Sequence, residues 1–197
     1  MADAAVHACA LGFALFGILL FALVQPQLSP GEIAAVSIYL VTLVCSISVS
    51  AAYNLWPVSG AKWILRRFDH SAIYWLIAGT YTPFVVRSGA WGLLAFVWIV
   101  AGIGAGLKLL LPGRFDRVSI GLYLALGWSG VLVTDQLVRT LPAAALWLIG
   151  AGGLFYTSGV VFHLWERLKF QNAIWHAFVL TGASIHYAAV WSLVKTA

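Results

Sequence analysis

Long apolar runs, each about as long as a bilayer-crossing helix, follow one another along this chain with only short polar breaks between them. A helix advances about 1.5 Å per residue, so crossing the hydrocarbon core takes about 20 mostly apolar residues. Seven runs meet or approach that length: Val6 to Gln25, Ile33 to Tyr53, His70 to Val86, Ala90 to Leu107, Val118 to Thr134, Leu141 to Leu164, and Ala173 to Val194. The breaks carry turn chemistry, with Pro26, Pro30 and Gly31 after the first run, Trp56-Pro57 and Gly60 after the second, and Pro112-Gly113 after the fourth. The apolar runs are continuous rather than alternating, and a backbone in lipid must satisfy its own polar groups, so they read as helices. The expected fold is all-α: a polytopic membrane protein with seven transmembrane helices in a single domain over residues 1–197.

Charge orients the bundle. With the N-terminus and the loops after spans two, four and six on one side, that side holds Lys62, Arg66, Arg67, Lys108, Arg114, Arg117, Arg167 and Lys169. The other side holds Arg87, Arg139 and Lys195. Basic loops stay inside, so the N-terminus is expected in the cytoplasm and the C-terminus outside, the reverse of a G-protein-coupled receptor.

Composition narrows the function classes. Apolar residues make up 62% of the 197 positions and charged residues 9%, where a soluble domain carries about 25% charged residues. Seven spans leave no length for a soluble domain, so the activity belongs in or at the membrane, and the expected partners are membrane lipids. The net charge of +5 lies in short loops and suits anionic headgroups. Nucleic-acid binding would want a basic face on a folded polar domain, so it is excluded. Cys9 and Cys45 sit inside apolar runs, with no CxxC spacing, and read as small buried residues. Met1 to His7 lacks Lys and Arg, so this stretch reads as the start of span one rather than a signal peptide. Gly102 and Gly106 have GxxxG spacing, and Gly150, Gly152 and Gly153 cluster in span six, which suggests close helix contacts. Pro83 is expected to bend span three. No internal repeat is visible, which weakens a transporter reading. Lys62 to Phe68 reads as a short amphipathic turn on the inner leaflet.

Ionisable groups inside a membrane are costly, so each needs a role. Asp69 and His70 open span three, His7 lies at the inner end of span one, His163 near the inner end of span six, and His176 near that of span seven. Ser50 and Asn54 are four apart in span two, as are Asn172 and His176 in span seven, and such spacing puts each pair on one helix face. These residues can enclose one polar pocket, with Tyr74, Tyr81 and Tyr187 as further lining. His186 stands about 15 Å deeper than His176 and reads as a hydrogen-bonded packing residue. Asp69 is open to two readings: a general base or metal-water partner, or a helix cap and ion-pair partner of Arg66 or Arg67.

The stretch Ser50-Ala-Ala-Tyr-Asn54, the run from Leu65 through Asp69-His-Ser-Ala-Ile-Tyr74 to Ala78-Gly-Thr-Tyr-Thr-Pro-Phe84, Gly153 to Val161, and Ala173-Ile-Trp-His176-Ala-Phe-Val-Leu180 together resemble the hemolysin III family. That family is similar to the progestin and adipoQ receptors, which include the adiponectin receptors. The resemblance covers essentially all seven spans and implies a seven-helix protein with its N-terminus inside. It also implies a zinc site at the inner ends of spans two, three and seven. The family pattern there is Ser-x-x-x-His, an Asp opening span three, and His-x-x-x-His. Three imidazoles hold the metal and the Asp holds its water, an arrangement suited to hydrolysis because zinc lowers the pKa of bound water to about 7. Related receptors are thought to hydrolyse lipid amides such as ceramide.

Here the chain departs from the pattern. Ser50, Asp69 and His176 match, but Asn54 and Asn172 stand where the other two histidines belong. An amide oxygen is a weak zinc donor. The expectation is a polar pocket without its metal, with zinc returning only if His163 or His70 joins His176 and Asp69 in a displaced set. Three classes stay open: a lipid-binding or membrane-homeostasis protein, ranked first; a zinc-dependent lipid amide or ester hydrolase with a displaced or weak metal, in which Asp69 and Ser50 would be catalytic; and a pore.

Overall fold

A computed structural model describes residues 2–24, 27–111, 113 and 116–196, all of them helix or short connection, with no strand among them. The turn residues Pro26 and Pro112, and Arg114 of the basic loop, lie outside the described residues. The helices are α1 (Ala2–Val24), α2 (Pro30–Leu55), α3 (Gly60–Ser88), α4 (Trp91–Leu110), α5 (Asp116–Gly127), α6 (Thr134–Thr140), α7 (Ala143–Leu164) and α8 (Gln171–Val194).

Six stretches are long and apolar enough to cross a membrane, with α5 and α6 acting together as one of them. The chain is therefore an all-α polytopic membrane protein. The remaining long helix, α3, has 29 residues but carries Lys62, Arg66, Arg67, Asp69 and Arg87. Outward faces are strongly apolar: Leu15, Leu19, Leu23, Ile99, Ile103 and Trp147 are all exposed. Such a surface would be costly in water and is the expected one in lipid. Cys9 and Cys45 are exposed on this surface, a correction to their reading as buried residues.

The helix ends follow local chemistry. Ser29 caps α2 in a reciprocal box with Glu32, and Pro30 takes the first position, where no N–H is needed. Ser59 caps α3, and Gly89, at φ 72°, ends it in the left-handed conformation that a residue with a Cβ adopts at a cost. Two corrections follow from that Ser59 cap. Asp69 lies well inside α3 rather than at its start, so it does not cap the helix. Lys62 to Phe68 is the first part of the same continuous helix rather than a separate surface turn, although Trp63, Ile64 and Phe68 are exposed along it.

Around α3 the bundle closes, with α2 and α4 packed along it and α1 wedged between α2 and α8. One apolar cluster joins α1, α2 and α8 through Phe21, Tyr39, Leu43, Tyr187 and Val190. A second joins α3, α4 and α5 through Tyr74, Val85, Val97, Ala101 and Leu126. At the C-terminal end, Arg87 reaches Glu32 Oε1 at 2.5 Å and the Thr196 carbonyl at 2.7 Å, tying α2, α3 and the end of the chain together.

Small residues do let helices approach, but not where GxxxG spacing points. A side chain at Gly106 would meet nothing, whereas one at Gly104 would collide with the Tyr74 ring and one at Gly152 with the His186 imidazole. The stretch Asp116–Thr140, which contains the expected span five, is also not one helix. It breaks after Gly127 into a 3₁₀ turn over Ser129–Val133 before α6 resumes. Irregular backbone at membrane depth persists only where its polar groups find protein partners. Tyr81 supplies them: its hydroxyl donates to the Gly127 carbonyl at 2.6 Å and accepts the Gly130 N–H at 2.8 Å.

Candidate functional site

The end of the bundle where α1 begins gathers polar side chains from four helices. Asp3 and His7 sit one turn apart on α1, Ser50 and Asn54 one turn apart on α2, Asp69 on α3 and His176 on α8. The α1 residues complete the site, and sequence reading passed over Asp3. Its signal was available, since Asp3 and His7 have the same four-residue spacing that drew attention to Ser50 and Asn54.

The geometry forms one network. His176 Nδ1 hydrogen-bonds Asp3 Oδ1 at 2.5 Å, joining the first and last helices. His7 Nδ1 donates to the Asp3 backbone carbonyl at 2.9 Å, which leaves Nε2 as the acceptor nitrogen, 3.3 Å from Ser50 Oγ. The two imidazoles meet edge to face, their centroids 4.5 Å apart. Asn54 Nδ2 donates to the Ser50 carbonyl at 2.9 Å and to Ser50 Oγ at 3.3 Å. Ser50 also hydrogen-bonds the Asp69 carboxylate, which lies close to His7 and Asp3. The serine hydroxyl has one proton, so at any moment it serves His7 or Asp69 but not both.

His7 is buried, at 4% exposure, while Asp3, Ser50, Asp69 and His176 are half-buried. An open cavity of about 350 Å³ adjoins Asp3, lined by Ala2, Glu166, Phe170, Gln171 and Asn172 among others. It sits where the connection from α7 to α8 passes under the start of α1. Phe170 turns that connection in the left-handed conformation, φ 63°. Gln171 donates back to the His163 carbonyl at 2.7 Å.

Six residues singled out in the sequence stand apart from this network, among them Tyr81 at the break between α5 and α6 and Tyr187, whose hydroxyl donates to the Gly17 carbonyl at 2.8 Å. Tyr74 is buried in the apolar cluster of α3, α4 and α5, its ring 4.5 Å from that of Tyr123. His70 points away from Asp69, as successive residues on a helix must. Its neighbours are Tyr53, Arg66, Arg67 and Lys108, and its carbonyl accepts from Tyr123. Arg66 and Lys108 both reach Asp116, at 2.9 and 2.5 Å, so Asp69 is not the ion-pair partner of Arg66. His163 packs on Trp175, ring centroids 4.9 Å apart, and its Nδ1 is buried without a hydrogen-bond partner. His186 Nε2 bonds the Ile149 carbonyl at 3.1 Å while its ring fills the space over Gly152, the packing role its depth suggested.

The three-histidine zinc set that the resemblance implies does not fit these side chains. Of its imidazole positions only His176 carries one. The Asn54 amide nitrogen is committed to Ser50, and Asn172 is exposed at the cavity rim. Among the described residues, the donors able to share an ion are instead Asp3, His7 and His176, with one donor atom from each lying within 4.8 Å of the others.

Comparison with known proteins finds a match to the family described as "Haemolysin-III related" over residues 1–187. The chain is 40% identical over 139 residues to the "Hemolysin-3 homolog" of Bacillus subtilis (strain 168), covering 68% of this chain and 65% of that protein. It is 41% identical over 126 residues to "Hemolysin-3" of Bacillus cereus, covering 62% of this chain and 58% of that one. The human "Monocyte to macrophage differentiation factor" is 31% identical over 164 residues, covering 78% of this chain and 68% of that protein. The matched region thus spans under two thirds of the length of either bacterial relative.

Proposed function

The chain belongs to the haemolysin-III-related family of membrane proteins, and from that premise we propose that it is a lipid-binding member, acting in membrane homeostasis without the family's three-histidine zinc set. In this reading α3 is the seventh span, the N-terminus faces the cytoplasm, and the protein resides in the plasma membrane. The eight-to-three bias of Lys and Arg supports that orientation.

The observation that carries the reading is the cavity beside Asp3. Its polar lining of Asp3, Glu166, Gln171 and Asn172 suits a lipid headgroup bearing amine or hydroxyl groups, and Phe170 and Leu168 give it an apolar rim. The exposed apolar faces of the bundle would guide the acyl chains. Native mass spectrometry of protein purified in mild detergent tests this. Bound lipid is expected on the wild type and not on an Asn172→Trp variant that fills the cavity. Wild type released free of lipid overturns the reading.

A second reading, a lipid amide or ester hydrolase, draws support from Ser50 set between His7 and Asp69. It predicts lipid turnover that Asp69→Asn abolishes. A pore draws less support. The half of the bundle away from Asp3 offers His186 and Asp135 as ionisable groups along a path, and His186 is held by the Ile149 carbonyl.

A further inference from the structure

The geometry points to a divalent transition-metal site of zinc type formed by Asp3, His7 and His176, moved from the α2 and α8 positions of the family pattern onto α1 and α8. The donor set is one carboxylate and two imidazoles, which zinc and its neighbours accept, leaving a position for water. One donor atom from each of Asp3, His7 and His176 lies within 4.8 Å of the others, against the about 3.3 Å that separates two donors on a tetrahedral ion with bonds of about 2.0 Å. The Asp3–His176 contact at 2.5 Å would open by about 0.8 Å for both groups to reach one ion, a shift within side-chain rotation.

Two further features favour an ion over a plain hydrogen-bond network. Charge is the first. Asp3 and Asp69 bring two carboxylates to a half-buried cluster, and among the described residues no Lys or Arg forms an ion pair with either. Lys62 is bonded to the Asn54 and Trp56 carbonyls and Arg66 to Asp116. A divalent cation would neutralise the charge that these carboxylates carry. Second-shell order is the other. A metal-bound histidine usually donates its second ring N–H to a carbonyl or carboxylate. His7 already does so to the Asp3 carbonyl, and its Nε2 lone pair has only the Ser50 hydroxyl, which Asp69 can claim instead.

The test uses the full-length chain, untagged and stripped with chelator, then equilibrated with zinc alone and analysed for bound metal. About one equivalent is expected on the wild type, with at least tenfold weaker binding by Asp3→Asn and His176→Asn variants that keep wild-type helicity and elution. His7 is buried, so its replacement can cost folding. Its role is therefore read on the wild type, where X-ray absorption of the zinc-loaded or cobalt-loaded protein is expected to count two imidazoles. Wild type that binds no more zinc than an unrelated membrane protein overturns the site. So does an Asp3→Asn variant that binds like wild type, or a single imidazole in the absorption spectrum. Lipid retention is measured separately, so this outcome and that of the lipid-binding reading are independent.

Discussion

Asp3 and His176, 173 positions apart, meet through a 2.5 Å hydrogen bond between Oδ1 and Nδ1, so the first turn of the first helix is fastened to the last helix at the polar end of the bundle. A hydrogen bond to a charged group is worth about 1.5–3 kcal/mol when partly buried. Asp3→Ala should lower stability by about that amount, measured by thermal unfolding in detergent with chelator present. The Asp3→Ala, His176→Ala double variant should lose clearly less than the sum of the two single changes, since both remove the same contact. Additive losses would mean that the two side chains act separately.

Tyr81 makes a second prediction. Its hydroxyl serves both a carbonyl and an N–H across the break between α5 and α6. Tyr81→Phe leaves those groups unpaired at about 1–3 kcal/mol each. Hydrogen exchange over residues 127–133 should quicken selectively. Unchanged exchange there would mean that water, not Tyr81, satisfies the break.

The positions of Asp3 and Tyr81 mark what could be read from the sequence and what could not. Helix existence was legible because lipid-length apolar runs admit few alternatives, and the polar end was legible from the depth of Ser50, Asp69 and His176. The break at Gly127 was not, because it depends on a hydroxyl 46 residues away in the chain. Nor was the separation of His70 and Tyr74 from Asp69. Depth along a helix is visible in a sequence, but which way a residue faces depends on which neighbours flank that helix. Only half of the role of Asp3 was legible: its spacing puts it on one face with His7, but its partner His176 arrives from the other end of the chain.

Glycine substitutions separate true helix contacts from spacing alone. Gly152→Ala forces a methyl into the His186 ring and should cost about 1–3 kcal/mol. Gly106→Ala meets open space and removes a helix-weakening glycine, so it should be neutral or stabilising by up to about 1 kcal/mol. Thermal midpoints of the two variants, measured side by side, should move apart. Equal losses would contradict the packing of α7 against α8.

Sidedness is open to direct measurement. Val58 is 93% exposed in the connection between α2 and α3, beyond the apolar surface. With Cys9 and Cys45 replaced by Ala, a Val58→Cys variant should react with a membrane-impermeant thiol reagent only after cells are opened. Labelling of intact cells would invert the proposed orientation, and with it the side from which the Asp3 cavity is reached.

Restoring imidazoles at the two departed positions separates the family's metal arrangement from the α1 arrangement. Asn54→His with Asn172→His would give α2 and α8 the family pattern again, with His176 shared by both sets. Because one imidazole cannot serve two separate ions at once, zinc stoichiometry should stay near one equivalent while affinity rises at least tenfold. Asp3 should then lose its importance: adding Asp3→Asn to the double variant should leave zinc affinity unchanged, although the same change in the wild-type background weakens it. If Asp3→Asn still releases zinc from the double variant, the α1 carboxylate holds the ion whatever α2 and α8 offer. If the double variant binds no tighter than wild type, the backbone at Asn54 and Asn172 no longer brings the old positions together, and the departure from the family pattern reaches beyond two side chains.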